Sequence, residues 1–136
     1  MDVETDGLGA KLQRKRPKYL NLIEIRQPLP AVISVLHRLS GALLFFPGIP
    51  LLLCSLDVIV NSPQGYAQFQ SLLTNPVLKG ALVLSLWFFL HHFCAGIRYL
   101  ALDLHYGDML EQARFSSKVV LAAGIVLTLL IALLIW

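Results

Sequence analysis

Three long apolar stretches dominate the chain, and short polar segments separate them. Between Gly41 and Val77 the only formal charge is Asp57, and no residue after Lys118 is charged. About 20 apolar residues are enough for a helix to cross the hydrocarbon core of a bilayer. The pattern therefore predicts an all-α integral membrane protein with three transmembrane helices, over residues 31–56, 77–102 and 119–136.

Prolines and polar residues refine this prediction. Pro47 and Pro50 fall inside the first predicted span, where we expect a helix kink. Residues 57–76 are predicted to form a polar loop that contains a short amphipathic helix around Tyr66–Leu73. A second, shorter polar loop is predicted over residues 103–118.

The first 30 residues are predicted to form a basic cytoplasmic arm ahead of a three-helix domain over residues 31–136. The apolar run begins only near Ala31 and acidic residues precede it, so we expect no cleavable targeting signal. The positive-inside rule places the arm and the second loop in the cytoplasm and the C-terminus outside. The six basic residues of the arm are Lys11, Arg14, Lys15, Arg16, Lys18 and Arg26.

Composition agrees with a membrane protein and argues against soluble chemistry. Of 136 residues, 57% are hydrophobic and 14% charged, with a mean hydropathy of +0.70. Soluble domains carry about 25% charged residues. The net charge of +3 is interpreted as a topology signal, not as a nucleic-acid surface. Cys54 and Cys94 are interpreted as packing residues, and no phosphate loop, nucleophile–base signature or paired carboxylates are apparent.

A first group of polar residues lies where the bilayer selects apolar ones. Ser34, His37, Arg38 and Gly41 are spaced i, i+3, i+4 and i+7, which places them on one helix face. At 1.5 Å per residue, Arg38 lies roughly 11 Å inside the predicted helix start. Two interpretations stay open at this point: a polar pocket at the inner side of the membrane, or an arginine that reaches to lipid phosphate.

A second group lies in the second predicted span. His92, Gly96, Tyr99 and Asp103 share one face, and His92 lies roughly 15 Å from the inner end, near the midplane of a ~30 Å core. A neutral imidazole there can be an axial haem ligand or a proton relay. Gly96 would leave room for a flat macrocycle or a close helix. The alternative is a histidine that is hydrogen-bonded across a helix interface; a haem would also need a second ligand.

Two motifs resemble those of a known family. The first comprises Arg16-Pro17, Asn21-Leu22, Ile25-Arg26 and the stretch SVLHRLSG at 34–41. The second is HFCAGIRYLALD at 92–103. Together, at this separation and in these spans, they resemble the cytochrome b556 subunit family, one of the two small membrane anchors of succinate dehydrogenase (complex II). The resemblance extends over most of the chain, from about Arg16 onward.

The resemblance implies roles for individual residues. His92 would be the axial ligand of a b-type haem, and its spacing to Gly96 favours it over His91. His37 and Arg38 would lie near the haem propionates, and Ser34 and Arg38 would border the ubiquinone site. Arg98 and Asp103 would organise the haem or the interface with the iron–sulfur subunit. Tyr99 stands where many relatives have a second histidine, so the haem surroundings would differ there.

The resemblance also implies partners and a location. Haem b would be shared with a second anchor subunit, inside a larger heteromeric helix bundle. The chain would lie in the bacterial inner membrane, with a periplasmic C-terminus. It would help to pass electrons from an iron–sulfur subunit to ubiquinone, after a flavoprotein subunit oxidises succinate in the tricarboxylic acid cycle. The alternatives are an anchor of a quinol:fumarate reductase and a non-catalytic membrane adaptor or transporter subunit.

Overall fold

The computed structural model describes residues 25–135, which form helices joined by short connections, without a strand in this range. The arm predicted over residues 1–30 lies mostly outside the described residues, and so do its basic residues at positions 11–18. The helices are α1 (Leu29–Leu43), a π-helical segment (Leu44–Gly48), α2 (Ile49–Asn61), α3 (Pro63–Leu72), α4 (Pro76–Asp103) and α5 (Leu110–Ile135).

Three helical stretches are long and apolar enough to cross a membrane. The first is continuous through α1, the π-helical segment and α2, and contains 33 residues; α4 contains 28 and α5 contains 26. The predicted all-α membrane fold with three spans is therefore confirmed. The short α3 lies in the segment predicted as the first polar loop, at the place of the predicted amphipathic helix.

Local chemistry explains where the helices begin. Pro30 and Pro76 lie in the first turns of α1 and α4, where a missing N–H costs no helical hydrogen bond. The Asn75 side chain accepts a hydrogen bond from the Val77 N–H at 2.8 Å, and the Ser62 hydroxyl oxygen accepts one from the Gly65 N–H at 2.9 Å. These side chains satisfy N–H groups that have no partner within the helix.

The π-helical segment occupies the place where the sequence predicts a kink. Pro47 lies inside it, and Pro50 lies two residues after its end, in the first turn of α2. A proline within an α-helix lacks the N–H for one hydrogen bond and crowds the carbonyl four residues earlier. At the end of this segment the Ile49 N–H donates to the Leu44 carbonyl, five residues back. The wider turn keeps the helix continuous through the proline pair.

Two helices extend beyond the predicted apolar spans. The first helical stretch continues to Asn61, five residues past the predicted end of the first span. Helix α5 begins at Leu110, nine residues before the predicted start of the third span. Residues 110–118 are mostly polar, and most of them are good helix formers; Glu111 suits the positive end of the helix dipole. Hydropathy locates the part of a helix in the bilayer, not the ends of the helix.

The interior of the described chain is small and rich in polar groups. Its buried hydrophobic residues are Ile33, Ala95 and Val120. Long apolar side chains point outward instead, as expected where lipid or another membrane subunit surrounds the helices. Helix α4 packs against α1 on one side and α5 on another. The buried polar side chains are Ser40, His91, Arg98, Ser117 and Thr128.

Candidate functional site

Two histidines meet where α1 packs against α4. The imidazole rings of His37 and His92 stack with their centroids 4.2 Å apart and their planes 12° from parallel. His37 also contacts the ring of Tyr99 at a centroid distance of 5.1 Å. The structure thus brings together members of both polar groups that the sequence singled out.

Hydrogen bonds hold one edge of the His92 ring. Its Nδ1 lies 3.0 Å from the carbonyl oxygen of His37 and 3.1 Å from the hydroxyl oxygen of Ser40. The Ser40 hydroxyl itself donates to the His37 carbonyl at 2.9 Å. Because a carbonyl oxygen can only accept, the contact to Nδ1 is a hydrogen bond when Nδ1 carries the proton. The lone pair of His92 then lies on Nε2, the atom available to a metal.

Two glycines make room for these rings. A Cβ at Gly41 would lie 2.8 Å from Cε1 of His92, which is too close for a real contact. A Cβ at Gly96 would lie 3.8 Å from Nε2 of His37, an ordinary contact. Each glycine therefore faces the imidazole of the other helix. Gly96 lies against α1, but a methyl group would fit there, so this contact does not require glycine.

His91 lies on a different face of α4 from His92. It is fully buried, stacks on Trp87 with centroids 5.4 Å apart, and packs against Gly124 of α5. Neither ring nitrogen has a hydrogen-bond partner among the described residues. The adjacent histidines are thus distinguished by their surroundings: His92 is oriented by hydrogen bonds from α1, and His91 is enclosed by packing.

The remaining predicted site residues lie outside the histidine contact. Ser34 is half-buried on α1, and Arg38 and Asp103 are exposed. Arg38 makes no hydrogen bond or ion pair with another residue in the range 25–135. Its guanidinium is therefore accessible from outside this chain. The phenolic oxygen of Tyr99 is buried and also lacks a partner among the described residues.

Arg98 faces α5, on another side of α4 from His92. Its Nε donates to the Ser116 hydroxyl oxygen at 2.9 Å, and one Nη donates to the Ala113 carbonyl at 3.3 Å. The guanidinium carbon also lies 5.3 Å from the centroid of the Tyr99 ring. These contacts tie the C-terminal part of α4 to the N-terminal part of α5.

Ser40 is the site residue that the sequence reasoning did not single out. It is fully buried and contacts both histidines through one hydroxyl group. A usable signal was present, because a serine three residues after a histidine on a helix lies on a neighbouring part of the same face. Which helix that face meets could not be read from the spacing.

Comparisons with known proteins agree with one another. A family model described as succinate dehydrogenase/fumarate reductase transmembrane subunit matches residues 13–131. Three relatives, each named succinate dehydrogenase cytochrome b556 subunit, illustrate the similarity. The chain is 33% identical to the Coxiella burnetii protein over 126 residues, covering 92% of this chain and 100% of the relative. It is 35% identical to the Paracoccus denitrificans protein over 119 residues (85% and 88%), and 28% identical to the Rickettsia felis protein over 121 (89% and 94%).

Proposed function

Because the chain belongs to the succinate dehydrogenase/fumarate reductase transmembrane subunit family, we propose that it is the haem b-binding anchor subunit of a bacterial succinate dehydrogenase. Family membership confirms the resemblance seen in the two motifs. The family description covers both directions of the reaction, and the names of the relatives favour succinate oxidation over fumarate reduction. The adaptor and transporter alternatives lose their support.

The observation that carries the haem proposal is the fixed orientation of His92. When Nδ1 donates to the His37 carbonyl, the neutral ring keeps its lone pair on Nε2, as an axial iron ligand requires. The residues present therefore fit the group. A haem b bound there would supply one-electron redox chemistry. His92 would provide one axial ligand, His37 and Arg38 would lie on the propionate side, and a second anchor subunit would provide the other ligand.

Quinone reduction would use the neighbouring part of α1. We assign Ser34 and Arg38 to the ubiquinone site, one turn apart on the helix. Support comes from the exposed guanidinium of Arg38, which has no partner among residues 25–135. A fixed positive charge there would stabilise negative charge that develops on a quinone oxygen during reduction. The Ser34 hydroxyl would donate a hydrogen bond to the same ring.

Location and partners complete the proposal. We place the chain in the bacterial inner membrane, with a cytoplasmic N-terminus and a periplasmic C-terminus. The iron–sulfur subunit would dock on the cytoplasmic side and carry electrons from the flavoprotein subunit. The chain would be a subunit of the enzyme and not a complete catalyst.

The test is the haem spectrum of the purified membrane complex. The reduced-minus-oxidised spectrum should show a b-type band that His92→Ala removes and that the neighbouring variant His91→Leu retains. An unchanged band in His92→Ala would disprove the ligand assignment.

A separate assay tests the quinone site. Ser34→Ala and Arg38→Ala should lower quinone reduction while succinate oxidation by an artificial dye stays normal. Normal quinone reduction in both variants would refute that part of the proposal.

A further inference from the structure

We propose that the groove between α4 and α5 binds one phospholipid with an amine headgroup, whose phosphodiester contacts Arg98. Arg98 is buried, with 8% of its surface exposed, yet its two hydrogen-bond acceptors are neutral oxygens of Ser116 and Ala113. No carboxylate forms an ion pair with it in the described part of the chain. An unneutralised guanidinium within a membrane helix is costly, so an anion from outside the chain is expected.

The groove itself is suited to an acyl chain. It has a volume of about 400 Å³, and apart from Arg98 its walls along the membrane part of the helices are almost entirely apolar. A phosphodiester matches the planar guanidinium, and basic sites between transmembrane helices bind lipid headgroups. The apolar residues of the wall include Ile97, Ala101, Leu102, Val119 and Ala123.

The order of residues along α5 matches the order of groups in such a lipid. Glu111 and Gln112 line a shallow cavity of about 590 Å³ that shares Tyr106, Gly107, Phe115 and Ser116 with the groove. The Arg98 guanidinium lies further along α5, where it contacts Ala113 and Ser116. A lipid bound along α5 would therefore place its ammonium beside Glu111, its phosphate beside Arg98 and an acyl chain past Val119. This geometry selects phosphatidylethanolamine over phosphatidylglycerol.

The inference depends only on the membrane-spanning fold and not on the proposed haem. Arg98 is bound to α5, whereas His92 faces α1, so the two groups lie on different sides of α4. A complex without haem could still bind the lipid, and a complex with haem could lack it. The two proposals therefore fail separately.

The experiment measures the lipid that stays on the protein. The complex containing this chain is equilibrated in nanodiscs with equal amounts of phosphatidylethanolamine and phosphatidylglycerol, transferred to detergent, and analysed by native mass spectrometry. The wild type should retain one phosphatidylethanolamine per copy of the chain. Arg98→Gln should lower retention about fivefold or more. Arg114→Gln is the matched control, because Arg114 is exposed and does not line the groove.

Two further variants keep the result interpretable, since Arg98→Gln also removes hydrogen bonds to α5. Ala123→Leu fills the groove and leaves Arg98 unchanged, and should also lower retention. Glu111→Gln should remove the preference for phosphatidylethanolamine. A wild type without retained lipid, an Ala123→Leu variant that retains as much as wild type, or equal retention of phosphatidylglycerol by the wild type would overturn the proposal. So would a cross-link from position 101 that places a partner subunit in the groove.

Discussion

Helix α4 contacts α1 through one face and α5 through another, and the adjacent histidines on these two faces have different surroundings. Towards α1, the Nδ1 of His92 has hydrogen-bond partners and Gly41 makes room for its ring. Towards α5, His91 is fully buried with neither nitrogen paired among the described residues. Hydrogen bonds fix the orientation of an imidazole ring, whereas packing fixes mainly the space that the ring occupies. The α1 face therefore orients the ring of His92, and the α5 face holds two helices together.

Among the variants that test the difference between the two faces of α4, Gly41→Ala should have the largest effect on haem affinity. The added methyl group would lie 2.8 Å from the present position of Cε1 of His92, so the ring must move away from its hydrogen bonds. We expect haem affinity of the complex to fall about 100-fold, the upper end of effects from residues that orient a metal ligand. Haem titration followed by absorbance measures this.

Gly96→Ala is the matched control for that variant. Its methyl group would make an ordinary 3.8 Å contact with His37, and alanine favours a helix over glycine. Haem binding should therefore change little. Equal losses in the two variants would show that crowding of His92 is not the cause.

A smaller effect is expected from Ser40→Ala. The substitution removes one of two oxygens next to Nδ1 of His92 and leaves the His37 carbonyl as the single acceptor. Haem affinity should fall about tenfold. The midpoint potential should rise, because a less strongly hydrogen-bonded imidazole donates less charge to iron.

Potentiometric titration of the b-type band measures that shift. Ser55→Ala serves as the control, because Ser55 lies further along the same membrane helix and its hydroxyl donates to the Leu51 carbonyl at 2.7 Å. A midpoint potential that does not move in Ser40→Ala would mean that Ser40 only fills space.

The smallest effect is expected on the other face of α4, from His91→Leu. This change removes two buried nitrogens that have no hydrogen-bond partner among residues 25–135, so stability should be unchanged or should rise by about 1 kcal/mol. Unfolding of the complex in detergent, followed by circular dichroism, measures the difference. A large loss of stability would reveal a polar partner of His91 and would remove the contrast between the two faces.

Periodicity predicted which residues share a helix face, but not which faces meet. The spacing of His37 with Gly41 and of His92 with Gly96 marked both sides of the site, and the proline pair marked the irregular turn. The stacking of His37 on His92 depends on the crossing of α1 and α4, which no local pattern encodes. Ser40 was missed for this reason, and the assignment of Arg98 to α5 required the structure.

The π-helical segment at Leu44–Gly48 has a further consequence for the phase of the first span. In an α-helix each residue advances the direction of the side chains by about 100°, so one extra residue in a wide turn offsets everything after it by that angle. The face that carries His37 and Gly41 therefore does not continue along α2. Deleting one residue of the segment would close the wide turn to an α-helical turn and leave the orientation of α2 relative to α1, and the histidine contact, as they are. The wide turn thus sets the phase of α2 separately from that of the helix face that carries the histidine contact.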